Sequence, residues 1–142
     1  MGSNGTDFTS EDGVLYLDSR VRFSAVTDGL SNTLLFGERP PSPFFDLGWW
    51  YAGVGFRGTG ATDHTLGVLE TAGTRFGQCP AGPHATRNGK IFNECDALHY
   101  WSFHPGGLHF SNVDGSVHFL SYEVQVLPEL ATAHAGDINA IN

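Results

Sequence analysis

The chain has 142 residues, of which 40% are hydrophobic and 13% aromatic, and its 15 acidic and 7 basic residues give a formal net charge of -8. This length and apolar content suffice for one domain with its own core, spanning residues 1–142, and argue against disorder. The negative charge repels phosphates, which argues against nucleic acid as a partner. No apolar run approaches the roughly 20 residues of a membrane span, so we expect no membrane contact by this chain.

The 19 glycines and 7 prolines divide the chain into short segments. No amphipathic pattern continues beyond about ten or twelve residues, which favours strands and loops over helices. We therefore predict a β-rich α+β fold with an antiparallel sheet, short helices and long loops. The polar residues 1–12 are expected to be flexible.

The first part of the folded chain is predicted from two adjoining patterns. Residues 13–24 alternate apolar and polar side chains, which indicates an extended segment with two short strands. Residues 24–32 have the pattern of one short helical turn, with Ser24 as the N-cap and Asp28 and Gly29 as the terminator.

A compact apolar strand is predicted over residues 33–38, TLLFGE, and the prolines that follow it prevent its continuation. Glu38 and Arg39 lie at its end. We interpret them as a structural ion pair or as surface residues rather than as acid-base groups.

Residues 41–56 form the most aromatic segment. Because neighbouring side chains on a strand point to opposite faces, Trp49, Trp50 and Tyr51 cannot all face the core. These rings either pack beneath a long loop or provide a contact surface for a glycan or a protein partner.

Residues 57–94 are rich in glycine and threonine, and we predict a long loop-rich excursion with one edge strand and with His64 and His84 exposed. A disulfide between Cys79 and Cys95 would stabilise this region by about 3 kcal/mol. It would also imply an oxidising, extracytoplasmic compartment. Two unrelated buried thiols, or half of a metal site, are the alternatives.

Two runs of strand-forming residues on either side of Asp114-Gly115 predict a β-hairpin. An Asp-Gly pair between such runs favours a two-residue type I′ turn, because both residue types tolerate positive φ. We therefore predict antiparallel strands over residues 108–113 and 116–121.

The two-residue turn also predicts the register of the hairpin. Phe110 would lie opposite Phe119 on an aromatic face directed to the core, and Ser111 would lie opposite His118 on a polar face.

A C-terminal helix is predicted to start near Leu127. Pro128 suits its first turn, Glu129 complements its positive end, and Gly136 is expected to close it.

The chain resembles a large bacterial family of prepilin-type proteins with a processing-associated C-terminal motif of His, nine residues and Asp-Gly. Here the motif is formed by His104, residues 105–113 and Asp114-Gly115. Further segments that resemble recurring blocks of that family are DGVLYLDSRVRF (12–23), VTDGLSNTLLFGERPPS (26–42), DLGWWYAG (46–53), CDALHYWSFHPGG (95–107), VDGSVHFLS (113–121) and LPELAT (127–132).

The resemblance implies a secreted or envelope-anchored protein with the globular fold of a type IV pilin or pseudopilin. Its partners would be other envelope or pilus-like proteins. Members of that family typically begin with a basic leader and a long hydrophobic helix, so we expect this chain to correspond to the globular part only. The resemblance implies no active site.

A stretch of twenty residues that includes most of the predicted hairpin contains four histidines, His99, His104, His109 and His118. His109 and His118 are expected on the same sheet face, where they could bind a transition metal if a side chain from outside the hairpin joined them. The alternative is structural: His104 would bond to the backbone of the turn that follows it, and Asp114 would fix the hairpin turn.

No cofactor is expected, although calcium could bind to the acidic residues at 7–12 or to the loop around Asp137 and Asn139, and a transition metal to the histidines or Asp114. No catalytic constellation or phosphate loop is recognisable. Together with what the resemblance implies, this favours a non-enzymatic structural or interaction domain of a pilin-like surface or secretion apparatus. An extracellular module that binds glycan or metal and a metal-dependent enzyme that uses the histidines are the alternatives.

Overall fold

The computed structural model describes residues 11–16, 18–39, 66–71 and 79–136. Several sequence predictions fall outside the described residues. They concern Trp49, Trp50, Tyr51, His64, most of residues 1–12 and the segment from Asp137 to Asn139.

The described residues contain five strands, one α-helix and two 3-10 helices, which confirms the predicted β-rich α+β class. In chain order they are the 3-10 helix Phe23–Ala25, β1 (Leu34–Gly37), β2 (Leu69–Glu70), β3 (His84–Ala85), the 3-10 helix Glu94–Leu98, β4 (Gly107–Asn112), β5 (Val117–Ser121) and α1 (Leu127–Ala131). The strands form an antiparallel sheet in the order β1-β4-β5 and a separate antiparallel pair, β2-β3.

The core lies on one face of the three-stranded sheet, where α1 and the segment before β4 cover it. Its buried residues are Leu34, Leu66, Val68, Tyr100, Leu108, Phe110, Leu120, Leu127, Leu130 and Ala131. Full burial of each large apolar side chain contributes about 1.5–3 kcal/mol. The Tyr100 ring packs 5.7 Å from the ring of Phe110, and its hydroxyl donates to the carbonyl of Leu66 at 2.6 Å, which connects the excursion to the sheet.

The predicted hairpin is present, but its turn has three residues instead of two. The Asn112 N–H donates to the Ser116 carbonyl at 2.9 Å, and the Gly115 N–H donates to the Asn112 carbonyl at 3.0 Å. Gly115 has φ +87°, so this is a three-residue loop that ends in a left-handed glycine bulge. As predicted, Asp114 fixes the turn: its Oδ1 accepts from the Ser116 N–H at 2.8 Å.

The extra turn residue changes the register, so the predicted Phe110–Phe119 pair is wrong. Phe110 lies opposite His118, and His109 lies opposite Phe119. A shift of one residue moves every side chain of one strand to the other face. Phe119 is therefore 48% exposed on the face away from the core, and His109 and His118 lie on opposite faces rather than on the same one.

The N-terminal predictions are corrected in two places. Residues 13–24 contain no strand among those described, because the chain turns at Asp18, which has φ 59°, and then enters the 3-10 helix. Ser24 lies inside that helix, whose N-cap is Arg22. The strand predicted over residues 33–38 is confirmed as β1.

The excursion also differs from its prediction. Its described residues contain two short paired strands, β2 and β3, where one edge strand was predicted, and His84, opposite Glu70 in this pair, is only 5% exposed. The predicted disulfide between Cys79 and Cys95 is present.

The C-terminal helix starts at Leu127 as predicted, with Pro128 in its first turn, but it ends before Gly136. Its C-cap is Thr132, where the backbone becomes extended. Gly136 instead donates its N–H to Oδ1 of Asp28 at 2.9 Å, and Ala135 donates to Oδ2 at 2.9 Å. The Asp28 carboxylate, 3% exposed, therefore binds the chain after α1 to the turn before β1.

We expect Asp28→Asn to lower the free energy of unfolding by about 1.5–3 kcal/mol, because an amide NH₂ would face a backbone N–H and one charged hydrogen bond would be lost. Urea denaturation monitored by circular dichroism measures this. Glu123→Gln, at an exposed position, is the matched control and should change stability little. Equal stability of the two variants would contradict the role assigned to Asp28.

Candidate functional site

The face of the sheet that points away from the core, here called the outer face, combines apolar and ionisable side chains. It is formed by Phe36, Glu38, His109, Ser111, Val117 and Phe119. Phe36 and Val117 flank Ser111 and are 61% and 62% exposed. Large apolar groups thus stand where a sheet face open to water usually carries polar ones.

A register irregularity in β1 explains why Phe36 is exposed. Leu34 pairs with Asn112 and Phe36 with Ser111, so Leu35 is an additional residue on β1. Such a bulge reverses the alternation of faces. Leu34 therefore points into the core while Phe36, two residues later, points outward.

At one end of the outer face, Glu38, His104 and His109 form a carboxylate–histidine cluster. His104 Nε2 lies 3.4 Å from Oε1 of Glu38, and His109 Nδ1 lies 3.2 Å from its Oε2. In the part of the chain that the structure describes, this is the one set of three His, Cys, Asp or Glu side chains with ligand atoms close enough for a shared metal ion, all within 4.8 Å of one another.

The backbone positions all three residues of the cluster. Glu38 follows β1 and extends its pairing: its N–H donates to the His109 carbonyl at 3.0 Å, and its Oε2 accepts the His109 N–H at 2.7 Å. His104 lies in the turn before β4. Its N–H donates to Oγ of Ser102 at 3.0 Å, and Ser102 Oγ donates to the Gly107 carbonyl at 2.8 Å.

Aromatic contacts form one side of the cluster. The His104 and His109 rings lie 5.0 Å apart and nearly perpendicular, and the Phe119 ring lies 5.2 Å from His109 and 6.5 Å from His104. The side chains of Glu38, His104 and His109 remain 37%, 52% and 41% exposed, so solvent reaches the cluster from the other side.

The electrostatics of the cluster favour an ionised Glu38. Partial burial raises the pKa of this carboxyl, but hydrogen bonds from the backbone and imidazole of His109, together with the charges of His109 and His104, outweigh burial and lower its pKa below the usual value. Glu38 therefore presents a fixed negative charge between two imidazoles.

The predicted site residues are separated by the fold. His104 and His109 meet, whereas His118 lies on the other face with its Nε2 3.2 Å from Ser116 Oγ, and Asp114 is engaged in the hairpin turn. The structural alternative predicts that His104 bonds to the backbone of the turn that follows it. Instead, the His104 ring contacts the carboxylate of Glu38. Sequence reasoning placed Glu38 among surface or ion-pair residues; its position next to His109 depends on the pairing of β1 with β4.

His99 has a structural environment instead. Its side chain is fully buried, with Nε2 3.0 Å from Oδ1 of Asp96 and Nδ1 3.2 Å from the carbonyl of Tyr100. Asp96 also accepts from the Lys90 N–H at 2.9 Å, and its carbonyl accepts from Nε1 of Trp101 at 2.9 Å. These bonds hold the segment next to the disulfide against the core.

This pair makes stability depend on pH. Burial lowers the pKa of His99 below 6.5, although its bonds to Asp96 and Tyr100 oppose this shift. The pKa of Asp96 is also lowered from 3.8, since the bonds from His99 and Lys90 outweigh the effect of its own burial. In both cases the unfolded chain binds protons more readily than the folded chain, so acidification favours unfolding.

We expect the melting temperature to fall as the pH decreases below 6.5, where His99 of the unfolded chain becomes protonated, and to fall further below 3.8. Thermal melts between pH 8 and pH 5 measure the first step. In His99→Gln the melting temperature should fall less over this pH range, whereas in His134→Gln, at an exposed position, it should fall as in the unmodified chain. An unchanged slope in His99→Gln would contradict this assignment.

The fold and site together define a small disulfide-bonded, β-rich domain with an apolar sheet face and a carboxylate–histidine cluster. The chain belongs to the family described as "Protein of unknown function (DUF1559)", with the label SBP_bac_10, whose model matches residues 1–127. No curated protein and no solved structure matches the chain significantly. Among the described residues, no helix has the length and apolar character needed to cross a membrane.

Proposed function

We propose that this chain is a non-enzymatic structural or interaction domain of a pilin- or pseudopilin-like surface or secretion apparatus, and that the outer face of the sheet is its contact surface. The observation that carries the proposal is the exposure of Phe36, Val117 and Phe119 together on one sheet face. Large exposed apolar groups that share one sheet face mark an interaction site more often than single scattered ones do.

The construction of the outer face supports this role. The bulge at Leu35 and the three-residue turn each direct an aromatic side chain outward, Phe36 and Phe119 respectively. β4 is paired on both sides, so the sheet is a rigid support for these side chains. A preorganised surface loses less conformational entropy when it binds a partner.

Two further observations support an envelope location. The disulfide between Cys79 and Cys95 fits an oxidising, extracytoplasmic compartment. The motif of His104 and Asp114-Gly115 and the further segments resemble those of prepilin-type proteins, which function outside the cytoplasm. Other envelope or pilus-like proteins are therefore the proposed partners.

The structure describes the residues of one of the two alternative functions but not those of the other. A glycan-binding module based on Trp49, Trp50 and Tyr51 remains a prediction, since these residues lie outside the described part of the chain. A metal-dependent enzyme that uses some of the four histidines would be limited to His104 and His109, because His99 is buried in a structural contact and His118 lies across the sheet from His109.

The contact role is tested by photo-crosslinking in the source bacterium. A photoreactive amino acid replaces Val117 on the outer face or, as a control, Gln125, which is exposed near the start of α1. We expect the probe at 117 to form adducts with envelope proteins that carry a pilin-type N-terminal helix, and the probe at 125 to form none. The absence of such adducts at 117, or equal adducts at both positions, would contradict the proposal.

A variant series with the probe kept at position 117 should give the same answer. We expect the double variant Phe36→Ser, Phe119→Ser to keep its melting temperature within a few degrees, because both rings are largely exposed, and to lose the adducts of a probe at 117. Phe23→Ser, 70% exposed in the 3-10 helix, is the matched control and should retain them. Adducts that persist in the double variant would argue against the outer face.

A further inference from the structure

We propose that Glu38, His104 and His109 bind a divalent transition-metal ion, with zinc as the best match. Glu38, His109 and Phe119 also belong to the outer face, but metal binding is a separate property of this face, and the contact role proposed above does not require it. The cluster provides two imidazole nitrogens and one carboxylate, which is a donor set found in three-ligand zinc sites and in non-haem iron sites.

The distances in the cluster suit one small ion. Around a tetrahedral ion with bonds of about 2.0–2.1 Å, ligand atoms lie about 3.3–3.4 Å apart. The two imidazole nitrogens lie at comparable distances from the Glu38 carboxylate, although from different oxygens: His104 Nε2 is 3.4 Å from Oε1, and His109 Nδ1 is 3.2 Å from Oε2. All three ligand atoms lie within 4.8 Å of one another, so an ion would draw these part-exposed side chains closer together than they are without it.

An ion would replace the contacts of the two imidazole nitrogens with the Glu38 oxygens, but the backbone contacts that position the ligands would remain. The backbone N–H of His109 donates to Oε2 of Glu38 and fixes the carboxylate so that Oε1 points at His104. The Ser102 hydroxyl anchors the backbone of His104. Groups that orient the ligands in this way commonly contribute tenfold to a hundredfold to metal affinity.

The surroundings leave one side of the site open. Phe119 covers the cluster from the strand opposite His109, while the three ligand side chains are between 37% and 52% exposed. A water molecule could therefore complete the coordination, as in zinc sites with three protein ligands. Calcium and magnesium are poor candidates, because they prefer oxygen ligands to imidazole.

The test is a titration of the full 142-residue chain, prepared without a polyhistidine tag, with cobalt(II) and with zinc(II). We expect one equivalent of cobalt to give the visible d–d bands of a low-coordinate site, zinc to abolish them, and excess calcium to leave them unchanged. Isothermal titration calorimetry should give a stoichiometry of one for zinc.

Three variants, Glu38→Gln, His104→Gln and His109→Gln, should each weaken zinc binding by at least about a hundredfold, which is more than the loss of an orienting group causes. His134→Gln and His118→Gln remove histidines outside the cluster and should leave the affinity unchanged. Circular dichroism without metal checks that every variant is folded.

Absence of the cobalt bands, or absence of zinc binding by the folded chain, would overturn the proposal. Binding that survives in the three cluster variants, or that is lost equally in His134→Gln, would also overturn it. None of these results would change the crosslinking from position 117, so failure of the metal site and failure of the contact surface can be distinguished.

Discussion

The left-handed Gly115 at the end of the hairpin turn is the constraint on which the rest of the sheet depends. With three residues between the strands, Asn112 pairs with Ser116, and every later pair follows. His109 and Phe119 therefore share the outer face, and Phe110 is left to the core. A turn one residue shorter would bury Phe119 and separate it from the histidines. One backbone conformation thus determines both the contact surface and one side of the carboxylate–histidine cluster.

Much of the fold is predictable from local sequence. The apolar run of β1, the hairpin position, the start of α1 at Leu127, the role of Asp114 and the Cys79–Cys95 disulfide all depend on short-range patterns, and the structure confirms them. The register was missed because Asp-Gly is compatible with both two-residue and three-residue turns, and the neighbouring residues do not distinguish them.

Less of the candidate site could be predicted from the sequence. His104 and His109 were recognised, but Glu38 is 71 residues away from His109 and reaches it only through the pairing of β1 with β4. His84 is predicted to be exposed, but it is buried. It lies in β3, and no local pattern in the sequence indicates the pairing of β3 with β2. Contacts between distant segments, rather than local propensities, account for what sequence reasoning missed.

The register of the hairpin is the most direct test of this account. The bonds at Asn112–Ser116 and Gly106–Tyr122 make His109 and Phe119 a non-hydrogen-bonded pair, in which the Hα atoms face each other closely. Nuclear Overhauser spectroscopy of the labelled chain should show a strong Hα–Hα cross-peak between His109 and Phe119. A cross-peak between Phe110 and Phe119 in its place would contradict the account, since it would return Phe119 to the core.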